Sequence, residues 1–424
     1  MRPHARFTSG GPLCRAVRWM LPAACLTFVP LDGAAQTTAV LRGTVLDAQG
    51  QMLPGAQIRL ARPASGFERR TVADGHGAFQ LVNLPLDSYE LHVEFPGFSP
   101  RRLPVSLLTS VPVVVDVALE LAAQSEAVTV RPEPPSLDTA SAGTRAQIST
   151  VRIERLPAAV GSRGLESVLV TFPGFAQNAH GAIHPRGAHN QMTYVVDGLP
   201  ISDQLTGAFA NALDASVVQT AELLTGNVPA EFGAKVSGVA VITSHSGLGV
   251  GRAAAGDAAL AIAGSGTWSG TVQGGGYPGR AGYFGSVTAM RTERFLDQVS
   301  LDNLHNAGGF ARAFLRVDVP LSTSDTLRLN AMGGQSGFEV ANLRSQARAG
   351  QDQRQRLGDG AIWLSHLRVL DERSTVEWLA GYRGTRSTLQ PSPGDTPVTA
   401  SQDRRLATAT ALARYSRMSG RHTL

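Results

Sequence analysis

Two periodicities divide the chain. From residue 37 to about 121, short alternating or fully apolar stretches are cut by turn-forming residues. The pattern predicts strands at Val40–Leu46, Ala56–Leu60, Phe67–Ala73, Ala78–Val82, Tyr89–Phe95 and Val111–Leu119. Turns fall at 47–50, Pro54-Gly55, Asp74-Gly75 and Pro96-Gly97. Strands about 8–12 residues apart point to a small antiparallel sandwich. Leu53, Phe79, Leu81, Tyr89 and Phe98 are its expected core. Gly43, Gly55, Gly75 and Gly97 stand where turns call for positive φ. Val111–Leu121 is apolar at nearly every position, which suits a strand buried on both faces.

From 251 to 424 the alternation returns in longer runs. Candidate strands are Ala258–Thr267, Gly282–Met290, Ala311–Val319, Thr326–Met332, Ala361–Leu370, Ser374–Tyr382 and Leu406–Tyr415. Alternating segments of about 10 residues are the mark of a membrane β-barrel. Gly334–Gly360 and Leu389–Gln402 read as long outer loops, and Leu321–Asp325 and Asp371–Arg373 as short turns.

Between these regions the pattern changes twice. Residues 122–142 lose periodicity and gain proline, with one strand-prone pentapeptide, Glu126, Ala127, Val128, Thr129 and Val130. Such a segment in a tether suits strand addition to a partner's sheet edge. Residues 143–250 mix elements. Ile153–Pro157 is a short element, Arg163–Val170 has helical spacing, and Asn211–Leu224 passes from helix to strand. Ser237–Thr243 is a strand. At the centre, strand Thr193–Val196 runs into Asp197-Gly198, a strong short-range hairpin signal.

Composition narrows the class. Glycine is abundant at 46 residues and charged residues are scarce at 17%. This suits a turn-rich β protein rather than a disordered one. Net charge is +5, but Arg2, Arg6, Arg15 and Arg18 lie near the start with only Asp32 against them. The basic excess elsewhere is two residues and unclustered, so nucleic acid is not an expected partner.

The first 35 residues run from charged to apolar (19–29) to small (Gly33–Ala35), the order of a cleaved signal peptide. Both cysteines, Cys14 and Cys25, lie in that leader, leaving no disulfide framework, thiolate metal site or cysteine nucleophile. His180, His184 and His189 are too interrupted by glycine and proline to share a helix face. They read as loop histidines rather than a metal site. His76 and His92 lack zinc-ligand spacing. No metal, cofactor or catalytic residue is expected, and no hydrolase, P-loop or paired-carboxylate motif stands out.

Two resemblances follow from these residues. The order GTVLD, LPGA, DGHGAF, YELHV, PGF over residues 43–98 resembles the carboxypeptidase-regulatory-like (transthyretin-like) domain. The order LESVLVTFPGF, RG, TYVVDGLPISD, ELLTGNVPAEFG, SGVAVITSHSG over residues 165–247 resembles the plug of TonB-dependent outer-membrane receptors. Phe232 for tyrosine, Ser237 for glycine and His245 for a basic residue are departures.

The resemblance implies a mainly β fold with four mature parts: a transthyretin-like β-sandwich at 36–121, a linker at 122–142, an α/β plug at 143–250 and the first part of an antiparallel transmembrane β-barrel at 251–424. It places a TonB box at 126–130 and plug-motif residues at Arg186, Gly187, Asp197, Gly198, Glu231 and Gly233. Arg186, Asp197 and Glu231, polar groups in a lumen, need wall partners and are the expected plug–barrel latch. Expected partners are the TonB energy-transducing complex, outer-membrane lipid and a small-molecule or oligomeric ligand. The rival reading is a secreted or surface carbohydrate-binding or adhesion protein built on the sandwich. Plugged transporters use about 22 strands. Residues 251–424 hold about seven to nine at roughly 10 residues each. A truncated or fragment chain is therefore expected.

Overall fold

The computed structural model describes residues 38–122 apart from 63–66, 86 and 108–111. It also describes 144–149, 153, 164–177, 183–185, 192–201, 213–226, 228, 232 and 238–249. The remainder is 253–423, apart from 297–300, 323, 372, 396–398 and 420–421. The leader, pentapeptide 126–130, His180, Arg186, Gly187, His189, Glu231 and Gly233 lie outside the described residues.

The first region is a two-sheet sandwich. Its strands are β1 (Thr38–Asp47), β2 (Gln57–Arg62), β3 (Phe67–Val72), β4 (Ala78–Pro85), β5 (Asp87–Glu94), β6 (Arg101–Leu107), β7 (Val113–Val114) and β8 (Val117–Leu119). One sheet runs β3-β2-β5-β6. The other has β1 between β4 on one side and β7 with β8 on the other. Leu53, Phe79, Leu81 and Tyr89 are buried in the core, and Phe98 packs against it half-buried. The Tyr89 hydroxyl donates to the Pro85 carbonyl at 2.6 Å.

Three expectations change here. β6 is an additional strand that the sequence reading left unassigned. Val111–Leu119 is not one doubly buried antiparallel strand. It breaks at Val115-Asp116 into two short pieces, both parallel to β1, and Val114 is exposed. Asp116 causes the break by leaving the ladder to accept from the Thr44 amide (3.0 Å) and hydroxyl (2.5 Å). Gly43 has no positive φ. Its role is close approach, because a Cβ there would lie 1.8 Å from the Val115 carbonyl oxygen. The left-handed glycine of the DGHG turn is Gly77 (φ 68°), not Gly75.

The second region is a mixed five-stranded sheet, ordered β13-β12-β15-β14-β9. Its members are β9 (Thr144–Ser149), β12 (Met192–Val196), β13 (Leu199–Ile201), β14 (Val218–Thr225) and β15 (Gly238–Ser244). A separate pair joins β10 (Phe175–Gln177) to β11 (Ile183–Pro185). His184 is thus on a strand, not in a loop. Helix α1 (Gly164–Leu169) buries Leu165, Val168 and Leu169. β15 is buried along its whole length because sheet partners flank it and packed side chains cover both faces.

The third region is one antiparallel meander: β16 (Ala255–Ala263), β17 (Thr267–Gly276), β18 (Gly282–Thr292), β19 (Gly308–Pro320), β20 (Asp325–Glu339), β21 (Arg354–Asp371), β22 (Ser374–Gln390), β23 (Gln402–Ser419) and β24 (His422–Thr423). Each pairs with the next, and β16 does not meet β24, so the sheet is a partial barrel. Ala258–Thr267 is not one strand. Ser265 and Gly266, both at positive φ, turn the chain between β16 and β17. The expected loop Gly334–Gly360 shrinks to 340–353. Gly333–Glu339 and Arg354–Gly360 stay paired as a ladder extension that is polar apart from the buried Phe338 and Leu357. The short connections 321–324 and 372–373 gather at one rim with 277–281, opposite the long connections.

Side chains alternate as the pleat requires. Val272, Val287, Leu315, Ile362 and Tyr382 are exposed on the outer face. Ser286, Arg312, Arg316, Asp318, Arg328, Asn330, Asp359 and Arg383 are buried on the inner face. Among them a strip of Phe284, Phe314, Met332, Ala361, Trp363 and Leu379 joins the plug core, including Leu169, Leu199, Ile201 and Val217.

Candidate functional site

The β12–β13 hairpin is where the plug meets the wall. Asp197 (φ 44°) and Gly198 (φ 90°) are both left-handed, which makes the tight turn that matches strand twist. Asparagine and aspartate tolerate this conformation better than other side chains. The turn brings Leu199 against the wall. A Cβ on Gly381 would lie 3.0 Å from Leu199 Cδ1 and 2.9 Å from Trp363 Cβ, so the missing side chain makes room for the hairpin.

The Asp197 carboxylate is buried and fully engaged. It accepts from the Ser244 amide (3.1 Å) and hydroxyl (2.5 Å) on neighbouring β15, and from Arg316 Nη1 on the wall (3.3 Å). Arg316 also donates to the Ser244 carbonyl at 2.9 Å. Its main partner is on its own strand, with Nε and Nη2 donating to Asp318 at 2.7 and 3.2 Å. Asp318 further accepts from Arg328 (2.8 Å) on β20 and from Ser246 (2.6 Å) just after β15. Two aspartates face two arginines, so the cluster is formally neutral. All four side chains are buried. Charges so desolvated persist only when paired and hydrogen-bonded.

The binding is asymmetric. Arg316 holds Asp318 with two bonds and Asp197 with one longer bond. The wall pair is therefore the tighter of the two, with Ser244 and Ser246 adding plug-side bonds to it. Weaker plug–wall contacts surround it. Ser216 and Ser286 hydroxyls lie 3.0 Å apart, Asp214 is 3.8 Å from Arg312, and His245 packs against Phe284 at 5.2 Å. Burial pushes the His245 imidazole down to about 4, with Arg69 and Arg316 adding to the effect, so it is neutral at pH 7.

Of the three polar residues expected to reach the wall, Asp197 does so; Arg186 and Glu231 lie outside the described residues. Sequence reasoning did not single out Arg316, Asp318 or Arg328. The available signal was the inward polar register of the alternating runs 314–319 and 327–332.

Among the described residues, one cluster has metal-ligand chemistry. His305, Glu339 and Asp352 offer atoms within 4.8 Å of one another at the long-loop rim. Arg354 already occupies that charge, donating to Asp352 at 2.8 Å and lying 3.5 Å from Glu339. With His305, it holds Asp352 below the usual carboxylate range. The group works as an ion-pair tie between loops.

Residues 40–120 match the carboxypeptidase regulatory-like domain family. A curated relative, the TonB-dependent transporter Oar of Myxococcus xanthus, is 30% identical over 223 residues, which are 50% of this chain and 21% of that protein. Among solved structures, a ferric enterobactin receptor (PfeA) from Pseudomonas aeruginosa superposes with TM-score 0.52 and 16% identity. It covers 66% of this chain and 47% of its own. The copper transporter OprC gives 0.53 and 12%, over 65% and 44%. The chain spans about a fifth of that curated relative and under half of these solved structures. It thus carries a regulatory-like sandwich followed by the plug-and-barrel fold of TonB-dependent receptors.

Proposed function

We propose that these residues supply the sandwich, plug and nine wall strands of an outer-membrane receptor that takes up a ligand using energy from the inner-membrane TonB complex. The observation that carries this reading is the Asp197–Arg316 contact. It is the charged member of a small set of buried plug-to-wall hydrogen bonds, with Arg316 to Ser244 and Ser246 to Asp318 beside it, and it is backed by a wall pair that survives its loss. A plug must fill a barrel at rest and yield to a pull, and this contact does both. The exposed apolar side chains of the outer face suit lipid, and the polar inner face suits a water-filled path.

In this reading residues 1–35 direct export and 122–142 tether the sandwich to the plug. Residues 126–130 form the box that adds as a strand to TonB. The ligand is a small molecule or oligomer held at the long-loop end. The relatives' names give different cargoes, an iron chelate and copper, so neither is carried over.

The test is binding of the detergent-purified chain to the periplasmic domain of TonB. Val128→Pro removes one backbone donor and the local extended pairing. Binding by wild type and its loss in Val128→Pro are expected. Equal binding by both, or none by wild type, contradicts the reading, as does recovery of the chain in the soluble fraction rather than in heat-modifiable outer-membrane material.

A further inference from the structure

A second feature lies where the sandwich meets the short-turn rim. A cavity of about 830 Å³ opens between β2, β3, β4 and β5 of the sandwich and the wall residues Tyr277, Pro320, Ser322 and Thr326, with Ser246 and Arg316 at its inner end and the carboxylates of Asp74 and Glu94 elsewhere on its lining. Its volume is in the usual range for small-molecule sites, about 300–1,000 Å³.

Arg69 lines this cavity and is only 6% exposed. No carboxylate among the described residues pairs with it. Its recorded contact is a guanidinium–ring approach to Phe67, 6.0 Å from the centroid. Its neighbours on β3 are served otherwise: Glu68 pairs with Arg59 and Arg70. His92 is also committed, to Arg59 at 3.2 Å and Glu90 at 2.9 Å. Arg316 and Arg328 face Arg69 from the wall, already balanced by Asp197 and Asp318. Among the described residues Arg69 thus has no ion pair of its own in this group. Burial and Arg316 press its pKa down to about 9, which still leaves it charged at neutral pH.

We propose that this cavity is a binding site for a small oxyanion, a carboxylate or phosphate group, received by the Arg69 guanidinium. The planar fork of arginine matches both groups with two parallel bonds. The apolar lining of Ile58, Val72 and Leu248 would cover the rest of the molecule. The ligand would sit beside Arg316 and so would be sensed by the plug–wall cluster. The inference rests on the packing of sandwich against rim and stands apart from the transport reading.

The test is thermal unfolding of the full chain in detergent at fixed ionic strength, with sodium phosphate or sodium citrate replacing sodium chloride. Wild type is expected to melt several degrees higher in at least one oxyanion. Response to phosphate alone or citrate alone assigns the group. Arg69→Met is expected to lose the shift, and in chloride to melt no lower than wild type because a buried unpaired charge is gone. Arg69→Lys keeps the charge without the fork and is expected to need more anion. Arg348→Met, on an exposed loop helix, is expected to respond as wild type does. Equal shifts in wild type and Arg69→Met mean general salt stabilisation and overturn the proposal. No shift in wild type with either anion overturns it too.

Discussion

Replacing Asp197 tests the logic of the plug–wall cluster. Asp197→Asn keeps an oxygen for the Ser244 amide and tolerates φ 44°, so it removes mainly the charge. Arg316 retains its two bonds to Asp318. The loss is therefore the charge on the oxygen that accepts from Arg316, together with the Oδ2 acceptor of the Ser244 hydroxyl, about 1.5–3 kcal/mol. It is not the about 3–5 kcal/mol of a buried pair left with an orphaned partner. Asp197→Ala also strands the Ser244 donors and places alanine in the left-handed region, adding about 1–2 kcal/mol. Arg316→Met completes a double-mutant cycle, since Asp318 keeps Arg328 and Ser246. The assay is denaturant unfolding in detergent followed by tryptophan emission. Trp363 is fully buried against the hairpin and reports its departure. The expected coupling energy is about 2 kcal/mol, within the range for contacting residues. A coupling below about 0.5 kcal/mol, the additivity of independent sites, would show that Asp197 does not depend on Arg316 and refute the argument.

Other outcomes follow from single residues. Gly43→Ala drives a methyl into the Val115 carbonyl; sandwich unfolding is expected to cost about 3 kcal/mol, the top of the overpacking range, and a neutral result would contradict that close approach. Asn330 is fully buried and neither side-chain polar atom has a hydrogen-bond partner among the described residues; Asn330→Leu is expected to raise stability by about 1–3 kcal/mol, read as a higher denaturant midpoint. His245 is charged more readily in the unfolded chain than in the folded one, so its contribution is complete above about pH 6.5 and falls away toward pH 4, by up to about 3 kcal/mol. A pH series of melting midpoints should show this loss, and His245→Asn should flatten it; identical profiles would rule the residue out as the cause.

The fold was legible where local chemistry decides it. Asp197-Gly198 announced its hairpin because few residues adopt two successive left-handed conformations. Period-two runs located seven of the nine wall strands. Extents were less legible. The ladder beyond Gly334 carries only two apolar side chains, Phe338 and Leu357, so pairing there leaves too little apolar alternation to read. The Val111–Leu119 break was hidden because one side-chain bond, Asp116 to Thr44, outweighs four β-branched neighbours. The site was half legible. A lumenal aspartate calls for a cation, but several inward arginines could answer. Only register and the position of the hairpin select Arg316.

The central claim is that the Asp197 hairpin leaves the wall under an energised pull. The chain's two cysteines are Cys14 and Cys25; with both replaced by serine, Leu199→Cys is a clean reporter at a position buried against Gly381 and Trp363. The measurement is the rate of maleimide labelling at Cys-substituted Leu199 in the outer membrane of cells with and without TonB. Faster labelling when TonB is present, and loss of that difference with Val128→Pro, is the expected result. Equal rates in both cells would contradict the account.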